Sequence, residues 1–230
     1  MKKKKGKIDL FNRFITKEQP KSPISEQYRT IRTNIEFSMV DQELKTLVCT
    51  SPNPSEGKST TISNLAITFA AQGKKILFVD TDLRKPTLHK RFRVENRNGL
   101  TNVLTKHVKL EDSIAQTDVE NLWLLPSGPI PPNPAEILGS NAMKEFVEVV
   151  KENFDLVIFD TPPILAFTDA QILGHLCDGA LLIIKSNGTE KNELQRAKEL
   201  LDKANVNILG VILNGVEKKE FSYYYYYGSY

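Results

Sequence analysis

The sequence has few residues of the types that build disulfide frameworks or metal clusters. Its 230 residues include only two cysteines, three histidines and one tryptophan. Both cysteines, Cys49 and Cys177, lie in apolar segments, and we interpret them as buried free thiols in a reducing compartment. The histidines have no ligand spacing. The net charge is only +3, which provides no general attraction for polyanions, so we expect no nucleic-acid partner.

Long hydrophobic runs are also missing. No apolar run approaches the roughly 18 residues that a membrane-spanning helix needs. The chain opens with a lysine cluster, Lys2–Lys5 and Lys7, but no apolar segment follows it, which argues against an ordinary signal peptide. We therefore predict a cytoplasmic protein in which residues 1–22 form a flexible basic arm. The arm is either freely solvated or attracted to anionic lipid.

Short apolar runs alternate with helical patterns through the rest of the chain. Residues 46–50, 75–80, 155–160, 180–185 and 207–213 have the nearly continuous apolar character of strands buried on both faces. This alternation predicts an α/β fold with a mostly parallel central sheet and helices on both faces, which makes three layers. We also predict that Ser25 caps the first helix, and that residues 110–115 form a short helix.

The strongest local motif lies between the first predicted strand and the next helix. It ends in Gly57-Lys58-Ser59-Thr60. Backbone N–H groups and the helix dipole at such a position form a phosphate-binding P-loop, in which lysine reaches the β- and γ-phosphates and serine binds Mg²⁺. A chance helix start with a surface lysine is the alternative. The predicted nucleotide-binding residues are Asn53, Ser55, Glu56, Gly57, Lys58, Ser59 and Thr60.

Three aspartates are predicted to lie near this loop. Asp80 and Asp82 follow the second strand, and Asp160 ends a later strand in the Walker B pattern of an apolar strand closed by an acid. Because the carboxyl ends of parallel strands share one sheet edge, these acids would meet the P-loop there. A solvated turn is the alternative interpretation of Asp80 and Asp82.

Two absent patterns restrict the nucleotide and the enzyme class. The chain has no Asn-Lys-x-Asp guanine-reading motif, which favours ATP over GTP. It also lacks the His-Arg-Asp and Asp-Phe-Gly signatures of eukaryotic-type kinases.

The segments VDTDLRKP, FDTPP and GKST together resemble the bacterial tyrosine kinase (BY-kinase) family. The likeness is closest to the CapB-type separate chains of capsular and exopolysaccharide biosynthesis. It implies a P-loop NTPase kinase domain over residues 23–216, with ATP and Mg²⁺ as cofactors. By this resemblance Lys58, Asp80 and Asp82 are catalytic, and Ser59, Asp82 and Asp160 hold the metal. Asp80 would accept the tyrosine proton, although Asp80 and Asp82 could exchange roles.

The resemblance also implies partners. Glu26, Arg29 and Arg32 match the family's Glu-x-x-Arg-x-x-Arg pattern, which docks on a neighbouring subunit to close a homo-oligomeric ring; an exposed, salt-bridged helix is the alternative. Residues 217–230 would form a tyrosine-rich tail that a neighbouring subunit phosphorylates. The alternative is an association-prone segment at a sheet edge. A transmembrane activator, which acts as a polysaccharide co-polymerase adaptor, would complete the nucleotide site. The predicted phosphoacceptors are Tyr223, Tyr224, Tyr225, Tyr226, Tyr227 and Tyr230.

Two other functions compete with this interpretation. A partitioning-type ATPase switch of the same superfamily would carry a signature lysine five residues before Lys58, where this chain has Asn53. A catalytically idle adaptor would not need the set of Lys58, Ser59 and three aspartates. Both features favour the kinase.

Overall fold

The computed structural model describes residues 14–39 and 43–217. Its centre is a seven-stranded sheet in the order β3-β4-β2-β5-β1-β6-β7, in which β3 is antiparallel to β4 and the other neighbours are parallel. The predicted mostly parallel α/β architecture is confirmed. The strands are β1 (Thr46–Thr50), β2 (Ile76–Asp80), β3 (Ala115–Gln116), β4 (Leu122–Leu125), β5 (Leu156–Asp160), β6 (Gly179–Lys185) and β7 (Ile208–Asn214).

Helices cover both faces of the sheet, each over its own apolar cluster. Within the described ranges, none of them has the length and apolar character to cross a membrane. The helices are α1 (Ile15–Glu18), α2 (Pro23–Phe37), α3 (Lys58–Ala70), α4 (Leu88–Phe92), α5 (Leu100–Leu104), α6 (Pro134–Leu138), α7 (Asn141–Asn153), α8 (Asp169–Gly174) and α9 (Lys191–Lys203).

The central strands β1, β2 and β5 are buried at every position, which explains their unbroken apolar sequences. The register pairs Asp80 with Asp160, and Cys49 with Asp160 from the other side of β5. The two aspartates that end β2 and β5 are therefore neighbours at the carboxyl edge of the sheet, next to the loop that follows β1.

The predicted N-cap of the first long helix is wrong. Ser22, not Ser25, caps α2, and its hydroxyl accepts a hydrogen bond from the Ser25 backbone N–H at 3.2 Å. Pro23 occupies the first helical position, which its fixed φ favours. The Ser25 side chain is buried and donates to the Gln19 carbonyl oxygen at 2.7 Å, so it ties α2 to the preceding segment.

Residues 14–22 belong to the folded domain, which corrects the predicted boundary of the basic arm. Phe14 is buried and stacks on Phe92 with ring centroids 4.6 Å apart. Thr16 donates through its hydroxyl to Asn64 Oδ1 of α3 at 2.9 Å. This segment therefore packs on the helix that follows the phosphate loop. Residues 1–13 of the predicted arm lie outside the described residues.

The predicted helix over residues 110–115 is also wrong. The segment makes a single turn, in which the Ser113 N–H donates to the Leu110 carbonyl at 3.0 Å, and then enters β3. Ala115 pairs with Leu124 on the free edge of β4. A helix this short gains too little from propagation to compete with pairing on an adjacent strand.

Candidate active site

The phosphate loop is closed around Gly57, whose φ of +85° lies in the left-handed region. A Cβ at this position would lie 2.0 Å from Asn214 Nδ2. Asn214 ends β7 and donates from that nitrogen to the Glu56 carbonyl oxygen at 3.0 Å. Only glycine combines the required backbone angle with this close approach, and α3 begins directly afterwards at Lys58.

The side chain of Glu56 stabilises the loop from within. It is buried, and its carboxylate accepts hydrogen bonds from the Asn53 backbone N–H at 3.0 Å and from the Thr189 hydroxyl at 2.5 Å. Ser55 has a φ of 66°, in the left-handed region where a non-glycine residue is strained. Glu56 therefore holds a strained turn in place, and its carboxylate faces its own chain rather than the phosphate side.

Lys58 forms an ion pair with Asp160 in which both side chains are almost fully buried, 9% and 1% exposed respectively. The Lys58 ammonium also lies 3.3 Å from Ser59 Oγ. The structure thus brings together the predicted P-loop lysine, the predicted metal-binding serine and the Walker B aspartate. A buried charge is stable only when it is paired, so the ion pair with Asp160 keeps the Lys58 ammonium beside the acids.

Asp80 is fully buried at the same edge. Its Oδ2 accepts hydrogen bonds from the Thr87 and Leu88 backbone N–H groups at 3.1 and 3.0 Å. Its Oδ1 has no hydrogen-bond partner among residues 14–39 and 43–217. Burial, followed by the negative charge of Asp160, raises the pKa of Asp80 to about 8. A buried oxygen without a partner is costly, and it marks a position where a ligand could supply the missing contact.

Asp82 has a different environment, because it is only half-buried. Its Oδ1 accepts from the Lys85 backbone N–H at 2.9 Å and from the Arg84 N–H at 3.3 Å. These bonds hold the turn after β2. The two acids of the VDTDLRKP segment therefore differ, because Asp80 is buried at the sheet edge and Asp82 is accessible to solvent.

The residues present suit a nucleotide with its metal better than a metal alone. No group of three or more His, Cys, Asp or Glu side chains in the described part of the chain is placed to hold an ion. Mg²⁺ typically binds one or two carboxylates and completes its octahedron with water and substrate phosphates. The glycine cradle, Ser59 Oγ and the Asp160 carboxylate beside Lys58 fit that arrangement.

Only part of the predicted docking face of α2 points toward solvent. Glu26 and Arg29 pair on the surface, with Arg29 Nε donating to Glu26 Oε2 at 2.9 Å. Arg32 instead donates to the Thr68 carbonyl of α3 at 2.9 Å, within its own chain. These residues do not belong to the phosphate site. The six predicted phosphoacceptor tyrosines lie outside the described residues.

Sequence reasoning missed several residues that shape the site. Asn214 could have been found, since it ends a parallel strand and must reach the same edge as Asp80. Thr189 carries no motif and meets Glu56 only through the fold. Asp169 of α8 also carries no motif, and it forms an ion pair with Arg84 at 3.1 Å.

Comparisons with known proteins agree with this site. A family model described as an AAA domain matches residues 55–205. The tyrosine-protein kinase YwqD of Bacillus subtilis strain 168 is 53% identical over 215 residues, which cover 94% of this chain and 91% of the relative.

Solved structures show the same relationship. The crystal structure of the chimerical protein CapA2B2 matches with a TM-score of 0.86 and 42% identity, covering 89% of this chain and 90% of that one. The kinase domain of the Escherichia coli tyrosine kinase ETK matches with a TM-score of 0.86 and 34% identity, covering 90% and 81%. With its P-loop, its paired acids and these likenesses, the chain belongs to the bacterial tyrosine kinase (BY-kinase) family.

Proposed function

We propose that this BY-kinase transfers the γ-phosphoryl group of ATP to the tyrosines of its own C-terminal tail, between subunits of a homo-oligomeric ring. The observation that carries the proposal is the meeting of Lys58, Ser59, Asp80 and Asp160 at one sheet edge. Phosphoryl transfer needs mainly positioned charges, and these side chains supply them.

Each loop residue has a distinct task in this proposal. Bound ATP with Mg²⁺ supplies the phosphoryl group and neutralises part of its charge. The backbone N–H groups of residues 55–60 would donate to the phosphates, while the Glu56 carboxylate, which binds the Asn53 N–H, keeps the loop folded. Lys58 exchanges its contact with Asp160 for phosphate oxygens. Ser59, Asp82 and Asp160 would hold Mg²⁺.

Asp80 is the proposed acceptor of the tyrosine proton. With a pKa near 8, its carboxylate form is a stronger base than an ordinary aspartate, and this form becomes populated as the pH approaches 8. Its burial is the main obstacle, because a phenol must first come within hydrogen-bond distance of Oδ1. If the tyrosine hydroxyl cannot reach Asp80 Oδ1, the accessible Asp82 would accept the proton and Asp80 would take its role.

The tail and α2 connect this chemistry to assembly. The exposed Glu26–Arg29 pair is available to contact a neighbouring subunit, whereas Arg32 binds the Thr68 carbonyl and so fastens α2 to α3. Phosphates that accumulate on the tyrosine run, Tyr223 to Tyr227 with Tyr230, would add about two negative charges each and loosen the ring by repulsion. In this way the kinase would regulate capsular or exopolysaccharide synthesis and export.

A membrane activator is part of the proposal. By the family resemblance, a transmembrane co-polymerase would be the partner, and its cytoplasmic end would complete the nucleotide site. The kinase would then sit at the inner face of the membrane through that partner.

The test uses one variant as the active kinase, called the donor chain, and another variant as its substrate, called the acceptor chain. The donor chain has all six tail tyrosines changed to phenylalanine. The acceptor chain keeps its tail and carries Lys58→Met with Asp160→Asn, so that no unpaired buried charge remains. The two chains are mixed with ATP and Mg²⁺, with and without the activator's cytoplasmic segment, and phosphotyrosine is mapped by mass spectrometry.

Transfer between subunits predicts phosphate on the acceptor tail and none when the donor also carries Lys58→Met. ATP turnover with unmodified tyrosines would favour the partitioning-type ATPase switch instead. The Asn53 position, where that class carries its signature lysine, argues against this outcome.

A further inference from the structure

An aromatic ring lies exposed beside the phosphate site. Phe167 is 37% exposed and follows the Walker B strand by seven residues. The loop that carries it is bonded to the phosphate loop, since the Ile164 N–H donates to the Ser51 carbonyl at 2.9 Å and the Leu165 N–H to the Pro52 carbonyl at 3.3 Å. This ring is therefore fixed relative to the nucleotide site.

One side of the ring is covered by an arginine. The Arg84 guanidinium carbon lies 4.2 Å from the centroid of Phe167, which is a close cation–π contact. Arg84 is in turn held by two donations to Asp169, from Nε at 3.1 Å and from Nη2 at 3.3 Å. Asp169 is 1% exposed. A buried carboxylate that fixes a half-exposed arginine makes a rigid surface rather than a mobile side chain.

The same arginine contacts the catalytic turn. Its backbone N–H donates to Asp82 Oδ1, so the side-chain stack and the accessible acid belong to one structural unit. Arg84 and Phe167 thus connect the turn after β2 to the loop after β5, the two segments that carry the acids of the site.

We infer that Phe167 and Arg84 form a platform on which the ring of the acceptor tyrosine packs, and that Asp169 is a positioning residue that acts through Arg84. This inference rests on the proposed kinase function and deepens it. The acceptor is a phenol that must be held beside the acids. An exposed phenylalanine with a fixed guanidinium offers one aromatic contact and one cationic contact at that place.

The inference predicts a selective effect on acceptor binding. In the donor–acceptor assay described above, Phe167→Ala and Phe167→Leu in the donor each raise the KM for the acceptor chain about ten-fold, because both lose the aromatic stack. Phe167→Trp retains the parent KM. Arg84→Lys and Asp169→Asn raise the acceptor KM similarly, and their combination adds little, since both act through one guanidinium.

Two further readouts separate this role from a merely structural clamp between the loops. The dissociation constant for ATP and the thermal midpoint of the donor remain at parent values in the Phe167 variants. Arg196→Gln, which removes an exposed arginine on α9, is the matched control and leaves all three quantities unchanged.

The outcomes are distinct. An unchanged acceptor KM in Phe167→Ala overturns the platform while the kinase function stands. A rise in acceptor KM accompanied by equal losses in ATP affinity and thermal stability also overturns it, in favour of a clamp. If the parent donor makes no phosphotyrosine at all, the proposed function fails and the inference fails with it.

Discussion

The Lys58 ammonium and the Asp160 carboxylate form a buried ion pair at the carboxyl edge of the sheet. Removing one member of such a pair leaves an uncompensated buried charge, which typically costs about 3–5 kcal/mol. We expect Lys58→Met to lower the free energy of unfolding by an amount near the lower end of that range, measured by urea denaturation without nucleotide.

The control for that loss is the double variant Lys58→Met/Asp160→Asn. It removes both charges, so it should recover part of the lost stability. A single variant as stable as the parent would show that the pair is not a coupled buried unit.

Asp80 makes the stability of the nucleotide-free protein depend on pH. Its pKa is about 8 in the folded protein and 3.8 as an ordinary aspartate, so the folded state holds a proton that the unfolded state releases between these values. The stabilisation from Asp80 is therefore complete below about pH 4 and is lost as the pH rises through about 8.

The difference between parent and Asp80→Asn isolates this contribution from all other titrating groups. Asparagine cannot release a proton, so Asp80→Asn should gain stability relative to the parent by an amount that grows from pH 5 to pH 8, on the order of a few kcal/mol. A difference that stays constant over this range would contradict the assigned environment of Asp80.

Gly57→Ala tests the closed form of the phosphate loop. The new methyl group would overlap Asn214 and would sit on a backbone with φ of +85°, so the loop must open. We expect ATP binding to be lost by at least about 100-fold in isothermal titration calorimetry, equivalent to about 3 kcal/mol.

Adding Asn214→Gly to Gly57→Ala relieves the overlap but not the backbone strain. Partial recovery of ATP affinity is therefore expected. Full recovery would show that backbone conformation at residue 57 does not matter, and no recovery would show that Asn214 is not the obstacle.

Phe14→Ala tests whether residues 14–22 belong to the folded domain. Loss of the stacked, buried ring should cost about 3 kcal/mol in unfolding experiments. Phe37→Ala is the matched control, because Phe37 is 71% exposed and its removal should change stability little. Equal effects of the two substitutions would contradict the revised boundary.

The sequence predicted the central strands and the meeting of the acids well, because both follow from simple geometry. A run such as ILFVD, buried on both faces, is typical of a parallel sheet, and parallel strands end at the same edge. Asp80, Asp160 and Lys58 had to converge once those strands were identified.

Other features depend on long-range contacts that no local pattern encodes. Ser22 and Ser25 are both suitable caps, and the choice between them rests on Pro23 and on the segment that Ser25 contacts. The helical spacing of Glu26, Arg29 and Arg32 gives a common face but not the direction of each side chain, and Arg32 turns inward to Thr68. The Glu56–Thr189 bond joins residues 133 apart.

The central claim is that Lys58, Asp80 and Asp160 form one phosphoryl-transfer centre. The most direct measurement is the rate of tail phosphotyrosine formation in the full chain with ATP, Mg²⁺ and the activator's cytoplasmic segment, for the parent and for Lys58→Met, Asp80→Asn and Asp160→Asn. We predict that each substitution lowers the rate by at least about 100-fold while circular dichroism shows an intact fold. A folded variant of any of the three that phosphorylates its tail at the parent rate would contradict the account.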